Sequence, residues 1–108
     1  MLDLIIKNGK CYIDKDLKEV DIGIQNSKIA KIGKIAEESR QIIDASGLTV
    51  LPGCIDTQTH FREPGSTDTE DLHTGSRAAI VGGITSVFEM PNTNPATTNQ
   101  EEFNRKIE

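Results

Sequence analysis

Four side chains that can bind a metal ion or a substrate stand at every second position of one short stretch. They are Asp56, Gln58, His60 and Arg62, within PGCIDTQTHFREPG at residues 52–65. Side chains alternate between the two faces of a β-strand, so this spacing predicts that all four share one face. An imidazole is a competent zinc ligand, a neutral amide oxygen is a poorer one, and a guanidinium suits a carboxylate. The stretch therefore indicates a metal site beside an anion-binding group.

Each of these residues also has a simpler structural interpretation. A single histidine on a strand is more often a hydrogen-bonded structural residue than a ligand, and Arg62 with Glu63 can form a solvated ion pair. Asp56 lies deeper in the strand and suits an orienting role better than ligation. What favours a functional site is joint placement with Asn92, at the same level of the next predicted strand. The amide of Asn92 can both donate and accept hydrogen bonds.

The second half of the sequence alternates between strand and helix patterns. A buried strand is predicted at residues 53–59 and a second strand at residues 84–90, with helices at residues 69–81 and 101–108. Asp68 or Thr69 is the predicted cap of the first helix, and Thr98 that of the second. Two consecutive strand–helix units predict a parallel sheet, in which functional groups lie at the carboxyl ends of the strands.

The first half reads as short strands separated by turns. Strands are predicted at residues 2–6, 20–24, 29–32, 41–44 and 48–51, with turns at Asn8-Gly9 and at residues 25–27. This pattern favours a small sandwich or an open barrel. We therefore predict an α/β chain with a strand-rich segment at residues 1–51 and two β/α units at residues 52–108. Because a complete β/α barrel takes roughly 250 residues, we expect a truncated piece of a longer protein.

Composition excludes several classes of protein. Charged residues make up 27% of the 108 residues and the net charge is −5, which argues against general nucleic-acid binding. No apolar run approaches the roughly 20 residues that span a bilayer, and the first residues do not have the pattern of a signal peptide. We expect a cytoplasmic protein that binds neither membranes nor nucleic acid. Its two cysteines have no metal-binding or disulfide spacing.

Two motifs and the opening segment resemble one enzyme family. PGCIDTQTHFREPG is similar to the PG-x-ID-x-H-x-H-x-REPG signature of dihydroorotases, in the cyclic amidohydrolase branch of the amidohydrolase superfamily. FEMPNTNP, at residues 88–95, resembles the second signature of that family. The strand-rich opening is similar to the usual start of such proteins, so the resemblance covers the whole chain.

The resemblance implies a fold, a reaction and a set of site residues. The fold is a small β-sandwich, completed by residues from the carboxyl-terminal end, joined to a TIM-like (β/α)8 barrel. The reaction interconverts dihydroorotate and N-carbamoyl-aspartate in pyrimidine synthesis.

By position, His60 would be a zinc ligand in a site for one or two ions, and Arg62 and Asn92 would hold substrate. The remaining groups of the family, a bridging lysine, two histidines and a catalytic aspartate, would lie after residue 108. The 108 residues alone are expected to be inactive, and the complete protein to be a homo-oligomer.

One residue departs from the family pattern. Gln58 stands where the signature has its first histidine, so a metal site would be weakened or lost. Three hypotheses stay open: a dihydroorotase that tolerates Gln58, a catalytically silent scaffold partner of aspartate transcarbamoylase, and an allantoinase or other cyclic amidase. Allantoinases resemble this stretch but typically lack the arginine, so Arg62 favours a substrate that carries a carboxylate.

Overall fold

The computed structural model describes residues 1–108, which form two compact units, Met1–Pro52 and Gly53–Glu108. The first unit contains five strands: β1 Leu2–Ile13, β2 Asp16–Gln25, β3 Lys28–Gly33, β4 Ser39–Asp44 and β5 Thr49–Val50. They form one mixed sheet in the order β3-β2-β1-β4. β1 runs antiparallel to β2, and its two halves pair in parallel with β4 and then β5. A single sheet is consistent with one layer of the predicted sandwich.

The predicted turn at Asn8-Gly9 is wrong, because β1 runs through it as a bulge. Its pairing with β2 shifts register between Ile6 and Gly9, and Asn8 has a φ of 61°. The backbone N–H of Asn8 donates to the side chain of Asp21 on β2, to Oδ1 at 3.0 Å, instead of to a backbone carbonyl of that strand. A Cβ on Gly9 would lie 2.6 Å from Val50 Cγ2, so glycine is required here for close packing against β5.

The small core of this unit is fixed at one end by a carboxylate. Leu2, Ile5 and Ile35 form its buried cluster. Asp21 Oδ2 accepts a hydrogen bond from the backbone N–H of Ile35 at 3.0 Å, while Oδ1 accepts that of Asn8. These backbone hydrogen bonds, that from Asn8 first, lower the pKa of Asp21. The carboxylate thus links the bulge to the chain segment that carries Ile35.

The second unit consists of two strand–helix pairs, as the sequence predicts. Its elements are β6 Cys54–Thr59, α1 Leu72–Val81, β7 Ile84–Glu89 and α2 Gln100–Ile107. β6 and β7 pair in parallel, which confirms the predicted β/α alternation and the parallel sheet. Neither helix is long and apolar enough to cross a membrane.

The cap of each helix lies later in the sequence than predicted. The cap of α1 is Asp71, not Asp68 or Thr69, because its carboxylate accepts the backbone N–H of Thr74 at 2.7 Å while the Thr74 hydroxyl contacts the Asp71 N–H. The hydrogen bond from the Thr74 backbone, followed by that from its hydroxyl, lowers the pKa of Asp71. The second helix is capped by Asn99, whose side chain accepts from Glu102 N at 2.9 Å.

Candidate metal and substrate site

The loops that follow β6 and β7 are joined by two backbone hydrogen bonds. Met90 N donates to the carbonyl of Thr59 at 2.8 Å, where the two strands end. Further along, Asn94 N donates to the carbonyl of Pro64 at 2.9 Å. The segments that carry the predicted site residues therefore run side by side at the carboxyl edge of the parallel pair, the usual location of functional groups in β/α folds.

His60 and Asn92 meet across these two loops. His60 Nδ1 lies 2.9 Å from Asn92 Oδ1, and His60 is half-buried while Asn92 is exposed. A carbonyl oxygen can only accept a hydrogen bond, so Nδ1 must carry the ring proton. In the neutral imidazole Nε2 then holds the free lone pair, which is what a metal ligand requires. The acceptor of Asn92 is occupied, and its Nδ2 group is the part left to face a ligand.

Arg62 is exposed and makes no hydrogen bond or ion pair through its side chain. The simpler interpretation, an ion pair with Glu63, is wrong, because Glu63 Oε2 accepts the backbone N–H of Leu72 at 2.6 Å at the start of α1. The backbone of Arg62 has a φ of 66°, which is uncommon for a residue other than glycine. An unpaired guanidinium at this edge of the sheet is available to an anionic or carbonyl-bearing ligand.

Pro64 and Gly65, the last two residues of the REPG motif, hold the two loops together. Gly65 has a φ of 120°, and a Cβ there would lie 2.7 Å from Asn94 Cβ. Glycine at position 65 thus permits both this backbone conformation and the close approach of the second loop. Together with the Pro64 carbonyl, it fixes the path of the segment that carries Asn92.

Gln58 and Asp56 are arranged differently from His60. The backbone N–H of Gln58 donates to Asp56 Oδ1 at 3.0 Å, so the Asp56 carboxylate turns back onto its own strand. The pairing of β6 with β7 shifts register between Asp56 and Thr59, which includes this position. The side chain of Gln58 is exposed and forms no hydrogen bond.

Of the residues at this edge of the sheet, one is a suitable ligand for a zinc ion. His60 fits, because its Nε2 lone pair is free and its ring is held by Asn92. Gln58 offers only an amide oxygen, a weaker donor for zinc than imidazole. No group of three or more His, Cys, Asp or Glu side chains gathers anywhere in the chain. His73, on the exposed face of α1, lies outside the site.

A largely buried ion pair at the ends of the second loop was not predicted from the sequence. Lys106 Nζ lies 2.7 Å from Glu89 Oε2, and only 11% and 16% of the two side chains are exposed. Lys106 Nζ is also 3.4 Å from Thr97 Oγ1. The signal that could have found it is Glu89 itself, a charged residue at the end of an otherwise uncharged strand. The pair connects the end of β7, the end of the loop and α2.

The parallel β/α pair places a histidine and two paired loops at its carboxyl edge, which is the arrangement of functional groups in β/α enzymes. The model of the amidohydrolase family matches residues 49–107, more than half of the chain. The chain belongs to the amidohydrolase family.

Two relatives indicate its neighbourhood within that family. The chain is 47% identical over 107 residues to an allantoinase of Salmonella choleraesuis strain SC-B67, covering 98% of this chain and 24% of the allantoinase. Its fold is similar to that of the L-hydantoinase (dihydropyrimidinase) from Arthrobacter aurescens, with a TM-score of 0.88 and 34% identity over 98% of this chain and 24% of that one. The amino-terminal region is thus that of a hydantoinase-like amidohydrolase. These two relatives are an allantoinase and a hydantoinase, and neither is a dihydroorotase.

A second solved structure contains zinc. It is the N-acyl-D-glutamate deacylase from Bordetella bronchiseptica, complexed with zinc and a phosphonate inhibitor, which matches 80% of this chain with a TM-score of 0.63 and 31% identity. The match covers 18% of the deacylase. The chain spans about a quarter of the length of the curated relatives it matches.

Proposed function

We propose that this chain is the amino-terminal part of a zinc-dependent hydrolase that opens a cyclic amide, with a hydantoin-type ring such as that of allantoin as substrate. The observation that carries the reaction class is the position of His60, Asn92 and the unpaired Arg62 at the carboxyl edge of the parallel strands, in a chain of the amidohydrolase family. The choice of ring is supported by the 47% identity to an allantoinase and by the hydantoinase-like fold.

Hydrolysis adds the oxygen of water to the ring carbonyl carbon and breaks the ring C–N bond. The nitrogen leaves with a proton, and the product is an open-chain carboxylate. Zinc, when bound, supplies Lewis-acid polarisation of the carbonyl and lowers the pKa of a bound water. In this chain His60 would be one ligand of that ion, with further ligands beyond residue 108. Asn92 Nδ2 and the Arg62 guanidinium donate hydrogen bonds to substrate oxygens, which hold the ring in one orientation.

A second candidate substrate is dihydroorotate, as the motif resemblance implies. The observation in its favour is Arg62, which has no partner within the chain and whose planar fork matches a carboxylate. Allantoin lacks a carboxylate before the ring opens, whereas dihydroorotate has one throughout. The two candidates therefore differ in how much they require Arg62.

The experiment compares allantoin, hydantoin and dihydroorotate as substrates of the zinc-loaded full-length protein and of its Arg62→Ala variant. We expect ring opening of allantoin to have the highest kcat/KM, with a loss of about 10-fold in Arg62→Ala, the effect of one weakened hydrogen bond. If dihydroorotate is the substrate, two charge-assisted hydrogen bonds are lost and the decrease is about 100-fold or more.

The control is Arg77→Ala, which removes an exposed arginine from α1, away from the site. We expect no change in kcat/KM. Turnover of dihydroorotate alone would replace the allantoin proposal by the second candidate. No turnover of any of the three rings would reject both and leave the silent scaffold partner of aspartate transcarbamoylase, which would then be tested by binding.

A further inference from the structure

We propose that Asn92 is a positioning residue for His60, in addition to any contact it makes with substrate. Its carbonyl oxygen holds the imidazole proton on Nδ1, so that Nε2 alone is presented to a metal ion. The inference rests on the proposed zinc-dependent function. It differs from the family assignment of Asn92, which concerns the substrate.

The first argument is the geometry of the pair. The distance of 2.9 Å between His60 Nδ1 and Asn92 Oδ1 is that of a good N–H···O hydrogen bond. A neutral imidazole in water exchanges between two tautomers, and only one of them leaves Nε2 free. Because an amide oxygen cannot donate, Asn92 accepts from one tautomer and excludes the other. The hydrogen bond also restricts rotation of the ring about its Cβ–Cγ bond.

The second argument is that the backbone of Asn92 is held on both sides. Two residues before it, Met90 N donates to the Thr59 carbonyl at 2.8 Å, directly beside His60. Two residues after it, Asn94 N donates to the Pro64 carbonyl at 2.9 Å. The segment between these points is too short to move its side chain far from His60. Asn92 therefore meets the requirement that a positioning group be fixed before the ligand arrives.

The third argument is the largely buried ion pair at the ends of the loop. Glu89 precedes the loop and Lys106 lies on α2, and their side chains are both largely shielded from water. A buried pair of this kind strongly resists separation, because removing one partner leaves an uncompensated charge. Lys106 also contacts Thr97 at the far end of the loop. The loop that carries Asn92 is thus anchored at its start and its end.

The expected size of the effect follows from other metal sites. Removing the hydrogen-bond partner of a ligating histidine costs about 10–100-fold in metal affinity. We therefore expect zinc to bind about 10–100-fold more weakly to Asn92→Ala. Asn92→Asp keeps an acceptor oxygen in place and loses the Nδ2 donors. It should bind zinc as tightly as the wild type or more tightly, while its KM rises because substrate loses a donor.

The test measures zinc dissociation constants of the full-length protein by competition with a chromophoric chelator, in the absence of substrate. The matched control is Asn94→Ala, the same substitution in the same loop, at a residue whose side chain forms no hydrogen bond. We expect Asn94→Ala to bind zinc like the wild type. If both Asn92 variants bind zinc like the wild type and differ only in KM, Asn92 acts on substrate alone and the proposal is overturned.

A second readout keeps the proposal testable without metal. In zinc-free protein labelled with 15N-histidine, the His60 signals, assigned by their loss in His60→Gln, should show a single tautomer protonated on Nδ1. Asn92→Ala should give a mixture, whereas an unchanged spectrum would overturn the proposal. Neither readout requires turnover, so a failure to open any cyclic amide would reject the proposed function and leave this inference intact.

Discussion

Gln58 lies in β6 and His60 directly follows that strand, and the two residues differ in what they present to a metal ion. His60 has a free Nε2 and a ring held by Asn92, whereas Gln58 has an exposed amide with no hydrogen bond to orient it. A freely rotating amide loses rotational entropy on binding and offers a neutral oxygen, so it adds little to zinc affinity. The site of this chain is therefore dominated by one histidine.

We predict that Gln58→His strengthens zinc binding of the full-length protein by at least about 10-fold, because an imidazole replaces a weak donor on the side of the strand that carries His60. The measurement is chelator competition on metal-free protein. Thr57→His is the matched control, since it adds the same ring to the next residue on the opposite side of the strand. Equal zinc affinity of Gln58→His and Thr57→His would contradict this account.

The alternation of residues 56–62 predicts that four side chains share one face of the strand, but it does not predict their contacts. The pairing of His60 with Asn92 depends on two loops meeting, which no local pattern encodes. Likewise, Glu63 does not form the alternative ion pair with its neighbour Arg62 and instead accepts from a backbone N–H nine residues away. The metal and substrate roles of His60, Arg62 and Asn92 stay predictions until they are measured.

At the scale of elements, the order and type of strands and helices followed from local patterns, while their ends depended on tertiary contacts. Asn8-Gly9 has the composition of a hairpin turn, but packing against Val50 and the Asp21 carboxylate makes it a bulge inside β1. The actual reversal lies at Asp14 and Lys15, whose φ values are 52° and 66°. A pair without glycine gives little signal for such a turn.

The packing of α1 gives a prediction in which two effects have opposite signs. Gly75 lies inside the helix, where alanine is favoured by about 1 kcal/mol. However, a Cβ at this position would lie 2.4 Å from Cδ1 of the buried Phe61 ring. Overpacking of this kind costs about 1–3 kcal/mol, and such a short distance favours the upper end. We expect Gly75→Ala to lower stability by about 1–2 kcal/mol.

The measurement is thermal unfolding of the full-length protein, with the double variant Gly75→Ala, Phe61→Leu as the internal control. A leucine leaves room for the new methyl group, so Gly75→Ala should be less destabilising in the Phe61→Leu background than in the wild type. An increase in Tm for Gly75→Ala alone would show that helix propensity outweighs the contact with Phe61.

At the scale of the whole chain, much apolar surface remains in water. In the second unit six large apolar side chains are between 48% and 90% exposed: Ile55, Ile80, Val81, Phe88, Phe103 and Ile107. Residues 53–59 were predicted to form a buried strand, yet Ile55 is 61% exposed. A two-stranded parallel sheet has too few neighbours to cover both of its faces, and parallel sheets are normally covered on both. These side chains therefore need further partners.

Phe88 on β7 is one of these side chains, and it is 60% exposed. In the 108-residue chain expressed alone, we expect self-association and binding of the dye ANS, and we expect Phe88→Ser to reduce both by removing exposed apolar area. In the full-length protein we expect the same substitution to lower stability. If further strands cover Phe88, its truncation costs about 3–5 kcal/mol and lowers Tm. Size-exclusion chromatography with ANS fluorescence tests the first part, and thermal unfolding the second. A full-length protein whose Tm is unaffected by Phe88→Ser would mean that this face stays in water in the complete fold, contrary to a barrel built on β6 and β7.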